Sequence, residues 1–336
     1  MKQAVYKQGA GGFGLVELMI ALVIGLLLSA VAIQVFLSSK NTYRLQDSIA
    51  RLQENGRFAI HYLSTDIRMA GYMGCGRIDS SSVNIVADDF SQSEFNNQTL
   101  VSGAENVAAG NAWGAAPGTD VIVIRRGSPA SARLAGNLAN SNANIQLHDN
   151  SLGIIPNDVL FLSDCVSTDI FRATNVSQGG GKVAIAHAQG VNSSPHLSKA
   201  YGMDAELMMF ERVSFFVRET NGRRALFVHR QIGERTGSAA AVPVELVDGV
   251  EDMQLEYGVD NTANNLADVY VTASSIADWS SVVSVRLNLL LHGSDATATS
   301  GPGMTQAITF NDAAAASDGR LRQAFSTVIA LRNRLP

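Results

Sequence analysis

Two hydropathy patterns follow one another without a break along the first seventy residues. Leu18 to Leu37 is a run of twenty residues with no charged side chain; as a helix it spans about 30 Å, the hydrocarbon thickness of a bilayer. Past Lys40 the run becomes a stripe. Leu45, Ile49, Leu52, Ala59, Leu63 and Ile67 recur at three-, four- and seven-residue steps, with Arg44, Asp47, Arg51 and Glu54 among the polar positions. Gly71 and Gly74 supply stop signals. The pattern predicts one helix from Phe13 to about Ala70, roughly 85 Å long. Its first half suits lipid or a bundle of like helices, and its second half offers one apolar face to a sheet.

The remainder is rich in β-branched and aromatic runs separated by Gly, Ser, Asn and Ala. Strands are predicted at Asp120 to Arg125, Asp158 to Leu162, Ile170 to Val176, Lys182 to Ala186, Met209 to Arg218, Ala225 to Arg230, Met253 to Val259, Val282 to Leu291 and Phe325 to Leu331. Asn221-Gly222 marks a hairpin turn. Ser80 to Gly118 and Ala130 to Asn150, low in aromatics and rich in small polar residues, read as long surface loops or insertions. No internal repeat is evident. One long helix followed by antiparallel strands is an α+β order.

Composition adds little to this and excludes some classes. With 336 residues, 46% apolar and 16% charged, the chain is globular with a membrane segment added. A net charge of −5 without a basic block gives no nucleic-acid footprint. Arg218, Arg223, Arg224 and Arg230, and then Arg320, Arg322, Arg332 and Arg334, cluster locally; solvated strand edges and a charged tail account for them better than a DNA-binding patch. Cys75 and Cys165 are an even pair in a chain built for export, so one disulfide is expected. Neither cysteine has a CxxC mate, which argues against cysteine-based zinc binding.

The amino terminus carries the most specific chemistry. Glu17 is the sole charged side chain between Lys7 and Lys40. An acid at the membrane centre costs roughly 2.5 to 3.5 kcal/mol on insertion scales, so a function is its default explanation. Lys2 and Lys7 ahead of the apolar run place the leader in the cytoplasm and everything after Lys40 on the other side. Ala30-x-Ala32 offers an ordinary secretory cleavage site, with the mature chain starting at Ile33. Such a signal has no use for Glu17, and the helical pattern continues past the site.

"G-G-F-G-L-V-E", from Gly11 to Glu17, resembles the class III leader of type IV prepilins and pseudopilins. The resemblance implies cleavage by prepilin peptidase between Gly12 and Phe13, N-methylation of the new Phe13 amine, and a register role for Glu17. Gly12 leaves extended backbone unobstructed for a protease at the membrane face. Loss of Lys2 and Lys7 would take the formal side-chain charge from −5 to −7. A carboxylate in an apolar bundle is costly unpaired and much less so beside the Phe13 amine of its own or a neighbouring chain, so it penalises wrong stagger.

The segments "YMGCG", "SDCVSTDIFRAT", "LVDGVEDMQLEYGVD", "WSSVVSVRLNLLL" and "AFSTVIALRNRL" extend the resemblance to the PilW family of minor pilins, with the J-type minor pseudopilins of type II secretion behind it. It implies a pilin-like fold divided into a leader at 1–12, a membrane and filament-packing half-helix at 13–39, a periplasmic half-helix at 40–72 and a β-rich head at 73–336. The implied role is priming of pilus assembly and residence in the tip complex. The implied partners are other minor pilins, the major pilin, prepilin peptidase, the assembly platform, a large tip adhesin and, before assembly, inner-membrane lipid; no nucleic acid is expected. The implied location is the inner membrane with a periplasmic head, then the extracellular pilus. A J-type pseudopilin or a membrane-anchored periplasmic binding module are the alternatives.

Nothing points to catalysis. The histidines at 61, 148, 187, 196, 229 and 292 form no ligand pattern, and no GxSxG elbow occurs. "SQGGGKV" lacks the first Gly and the final Ser/Thr of a phosphate loop and reads as a glycine-rich hairpin. Asp248, Glu251 and Asp252, and the stretch Asp260 to Asp268, have oxygen donors but no EF-hand spacing. No enzyme activity, cofactor or metal is expected.

Overall fold

The computed structural model describes residues 12, 14–76, 78, 82–88, 90, 94–235, 240–293, 308–311, 313–314 and 318–335. Helix α1 (Leu15–Arg68) is continuous over 54 residues, two shorter at each end than its periodicity predicts. It stops as the pattern requires. Gly71 takes φ +72°, a left-handed conformation that costs glycine nothing, and its amide reaches Arg125 O at 2.9 Å.

The strands are β1 (Ser82–Ile85), β2 (Val101–Ala104), β3 (Val121–Arg133), β4 (Ile145–Leu147), β5 (Val159–Ser163), β6 (Ser167–Arg172), β7 (Asn175–Gly179), β8 (Lys182–Ala186), β9 (Glu206–Thr220), β10 (Arg223–Ile232), β11 (Val244–Asp248), β12 (Val250–Val259), β13 (Val269–Val271), β14 (Val282–His292), β15 (Thr309–Phe310), β16 (Ala313–Ala314) and β17 (Arg322–Ala330). β9 is the hub of an eight-stranded sheet. β3 runs along one side of it, while β5, facing residues 206–209, and β10, facing residues 211–220, share the other. β1 pairs with β6 in parallel, and the remaining pairings of this sheet are antiparallel. A four-stranded antiparallel sheet, in the order β13-β12-β14-β17, forms a second layer; β4-β8-β7 make a small third one.

The apolar stripe of α1 joins these layers. Leu52, Ala59, Leu63 and Ile67 are buried with Ile122, Ile124, Phe215 and Leu226 of the large sheet and Leu255, Leu287, Leu289 and Ile329 of the four-stranded one. Each large aliphatic side chain so buried is worth about 1.5 to 3 kcal/mol. Gly56 sits on the same stripe because a Cβ there would overlap the Phe325 ring of β17.

Eight of the nine predicted strands recur, most with longer ends, and Asn221 and Gly222 both take positive φ in the β9–β10 hairpin. The Ile170–Val176 expectation is corrected: β6 ends at Arg172 and β7 starts at Asn175, because Asn192 bonds both backbone groups of Arg172 and turns the chain away. Ser80 to Gly118 and Ala130 to Asn150 are not simply surface loops. They contribute β1, β2, β4 and the end of β3, and they bury Phe90, Phe95 and Leu100 in one cluster and Leu134, Leu138, Ile145 and Leu147 in another.

Candidate functional site

Among the described residues nothing covers the amino-terminal half of α1. From Leu15 to Leu37 every large apolar side chain is exposed, with Leu15 at 78% and Leu37 at 53%. Gly14 caps the helix in an extended conformation and accepts the amides of Glu17 and Leu18. Gly12 is exposed; Phe13, Lys2 and Lys7 lie outside the described residues, and with them the far side of the expected cleavage bond and the expected methylation site. Glu17 occupies the first helical turn, where the positive end of the helix dipole favours an acid. Its side chain is exposed and has no hydrogen-bond or ion-pair partner among the described residues. The hydroxyls of Ser29 and Thr42 donate to carbonyls four residues back, Gly25 O at 2.8 Å and Ser38 O at 3.0 Å, so these polar groups are satisfied within the helix.

The carboxyl-terminal half ends in a ring of four charges, three of them buried and the fourth, Arg230, partly so. Asp66, in the last turn of α1, accepts from Arg126 Nη2 at 2.7 Å and Arg230 Nη2 at 2.6 Å. Glu211 accepts from Arg126 Nε at 2.8 Å and Arg230 Nη1 at 2.7 Å. Arg126 of β3 lies directly opposite Glu211 of β9, and Arg230 comes from β10. Arg126 is 1% exposed and Glu211 3%. Burial works against the charged form of Arg230, but its bond to Glu211 and the fields of Glu211 and Asp66 more than offset this and raise its pKa above the ordinary value.

On the reverse face of the same strands, the neighbouring residues Arg125 and Arg212 meet Glu94, and Arg212 also meets Glu234 at 3.0 Å. Strand alternation sends consecutive charges to opposite faces, so β3 and β9 carry an ion network on each side. Just beyond the helix, Cys75 and Cys165 form the expected disulfide, tying the helix exit to the β5–β6 turn.

The other sequence candidates resolve into structure. Arg230, Arg322 and Arg334 are not the solvated strand edge and charged tail that the clusters suggested. Arg322, 4% exposed, holds Glu251 and Asp318, and Arg334, 8% exposed, donates to carbonyls of Trp279 and Val282. Arg322 in turn keeps the Asp318 carboxyl well below the usual range. Gly180 and Gly181 turn the β7–β8 hairpin. Asp260 and Asp268 accept the amides of residues 261–265 as turn formers, and no group of three metal-ligating side chains occurs among the described residues. The ion ring escaped sequence reading, although Arg126 and Arg230 each stand two residues beyond paired inward apolar positions, Ile122 and Ile124, and Leu226 and Val228.

Residues 214–333 match the family model of the type IV pilus-assembly protein W, and residues 7–33 match the prokaryotic N-terminal methylation motif. No curated protein and no solved structure matches the chain. Both matched families are structural components of pili, not enzymes. The methylation-motif match starts at Lys7, takes in the last six residues of the expected leader and runs through most of the exposed apolar half of α1, and the other match runs from within β9 through β17. Over these two segments the chain is similar to the type IV pilus-assembly protein W and to the amino-terminal methylation motif.

Proposed function

We propose that the protein is a minor pilin that primes type IV pilus assembly and resides in the pilus tip complex. It is made as an inner-membrane precursor with a periplasmic head, divided at 12, 39 and 72 into leader, packing half-helix, periplasmic half-helix and head. Prepilin peptidase cuts between Gly12 and Phe13, the Phe13 amine is methylated, and α1 passes from lipid into a bundle of pilin helices. Partners are other minor pilins, the major pilin, the assembly platform and a tip adhesin.

The observation that supports this best is a prepilin leader motif joined to a helix whose apolar half is wholly exposed while its other half is welded to a folded head. That surface suits lipid first and helix neighbours later. Glu17, without a partner among the described residues, would pair with the Phe13 amine of a neighbour and set the stagger. Mass spectrometry of the mature amino terminus tests processing: methyl-Phe13 is expected, and a chain starting at Ile33 would overturn the reading. Deletion of the gene should abolish piliation and leave protein secretion intact; the reverse would move the chain to a secretion pseudopilus.

A further inference from the structure

Between the apolar run and the head lies a collar that belongs to neither. From Ser38 to Asp47 every residue of α1 is exposed except Leu45, which is half-buried, and Ser48, beside Gly293, is the first buried residue of the helix. Lys40 is the first charged residue after Glu17. At 1.5 Å per residue it stands about 5 Å beyond Leu37, with Arg44 at about 10 Å and Ser48 at about 16 Å. The headgroup zone of a bilayer is about 5 to 8 Å deep on each side. With Leu18 to Leu37 filling the hydrocarbon, as the proposed function has it, Lys40 falls within that zone and the head stands clear of it.

The collar's side chains are aimed at the same layer. Helical Cα–Cβ bonds tilt toward the amino terminus, so Tyr43 and Arg44 lean back toward the bilayer. Positions 40, 43 and 44 lie within about 100° of one another around the axis and share a face. Tyr43 is 70% exposed, an aromatic body with a polar tip at the depth where such rings collect. Lys40 and Arg44 are four residues apart, a spacing at which like charges repel unless an anion lies between them. The acid nearest in sequence, Asp47, is taken by Arg51, whose Nε donates to it at 2.9 Å. The side chains of Lys40 and Arg44 have no hydrogen bond or ion pair among the described residues.

We propose that Lys40, Tyr43 and Arg44 form a docking surface for anionic phospholipid headgroups in the leaflet on the head's side of the membrane. One phosphate between the two cations removes their repulsion, and the Arg44 guanidinium can hold it with two parallel hydrogen bonds. Charge complementarity names the occupant, and continuity with the exposed apolar surface from Leu15 to Leu37 names its source. The collar thereby fixes how deep α1 sits before it leaves lipid for the filament. The inference rests on the membrane-spanning reading of the helix and adds to it a lipid class and the residues that select it.

The test uses full-length protein carrying Asn41→Cys, an exposed position beside Lys40, with a nitroxide on the new thiol and the native disulfide closed. In bicelles of equimolar phosphatidylglycerol and phosphatidylcholine, the nitroxide should relax the phosphorus of phosphatidylglycerol about fivefold more than that of phosphatidylcholine, the factor expected of one basic residue at an anionic surface. Lys40→Gln with Arg44→Gln should bring the ratio to about one, and Lys40→Arg should keep it. Arg57→Gln with Arg68→Gln, about 30 and 46 Å beyond Leu37, should leave it unchanged. Replacing chloride by inorganic phosphate at constant ionic strength should also leave it unchanged; a ratio that collapses there would make the pair a general anion site and overturn the proposal. Equal relaxation of the two lipids, or a preference that survives loss of both cations, would overturn it while leaving the membrane span intact. Relaxation of neither lipid would remove the span itself, and the proposal with it.

Discussion

Two carboxylates of the same helix are treated in opposite ways. Asp66 lies in the last turn of α1, where the helix dipole disfavours an acid. Two arginines from the large sheet, with Glu211 closing the ring, compensate it inside its own chain. Glu17 lies in the first turn, where the dipole favours it, yet it stands exposed among apolar side chains with no partner among the described residues. An acid answered within the chain serves the fold; one left unanswered is available to another molecule. The rest of the two halves follows suit. The stripe containing Leu52, Leu63 and Ile67 is closed by two sheets, and the large apolar side chains from Leu15 to Leu37 are left exposed.

The contrast can be broken or sharpened by stability measurements on the full-length chain. The largest loss should follow replacement of Cys75 and Cys165 by serine. The bridge closes a sequence separation of 90, worth about 4 to 5 kcal/mol in the chain-entropy model, and denaturant unfolding should register it at the carboxyl-terminal half of α1. Glu211→Ala should cost about 3 to 5 kcal/mol, since it strips Arg126 of a buried partner; Glu211→Leu combined with Arg126→Met should recover most of that. If the single substitution costs under 1 kcal/mol, the ring is not what holds the helix end. Gly56→Ala should cost about 1 to 3 kcal/mol through overlap with Phe325.

A third acid, Asp120, tests what happens without a cation. It is 3% exposed and accepts the amides of Asn106 and Leu255 at 2.8 Å each. Burial pushes its pKa up to about 6 despite those two bonds, with Glu105 and Asp252 pushing the same way. The folded state therefore holds this proton more tightly than the unfolded one, and the group's contribution to stability declines as pH rises from about 4 to 6. Relative to Asp120→Asn, the wild-type chain should lose stability over that interval; a flat difference would show that Asp120 titrates normally. Smallest of all, Glu17→Ala should shift unfolding by under about 0.5 kcal/mol, as exposed positions do, while abolishing piliation. Normal pili from that variant would leave the register role without support.

Much of this was legible in residue order. The 3.6-residue period of α1 and the β-branched runs at 121–125, 159–162 and 282–291 are long, strong signals. The small-residue segments misled because β1, β2 and β4 have three or four residues each, too few for alternation to register, and because Phe90 and Phe95 are isolated anchors in polar surroundings. The ion ring was hidden for a different reason. Pattern reading assigns charged positions to solvent, and only the pairing of β3 with β9 and of β9 with β10 brings Arg126, Glu211 and Arg230 beneath Asp66. The disulfide was readable from parity alone, whereas the place it staples was not.

That staple also sets how the molecule responds to pulling. A pull applied through the amino-terminal helix would pass along the chain beyond Arg68 to Cys75. From there force can cross the sulfur bridge to Cys165 without entering the intervening chain. At about 3.3 to 3.6 Å per extended residue, roughly 300 Å of contour length is thereby locked away from stretching. β1, β2, β3, β4 and β5 all lie inside the protected loop. The chain can thus be drawn out under load only from β6 onward, and four of the eight strands of the large sheet, β1, β2, β3 and β5, lie in a loop that cannot be extended until the bridge is reduced.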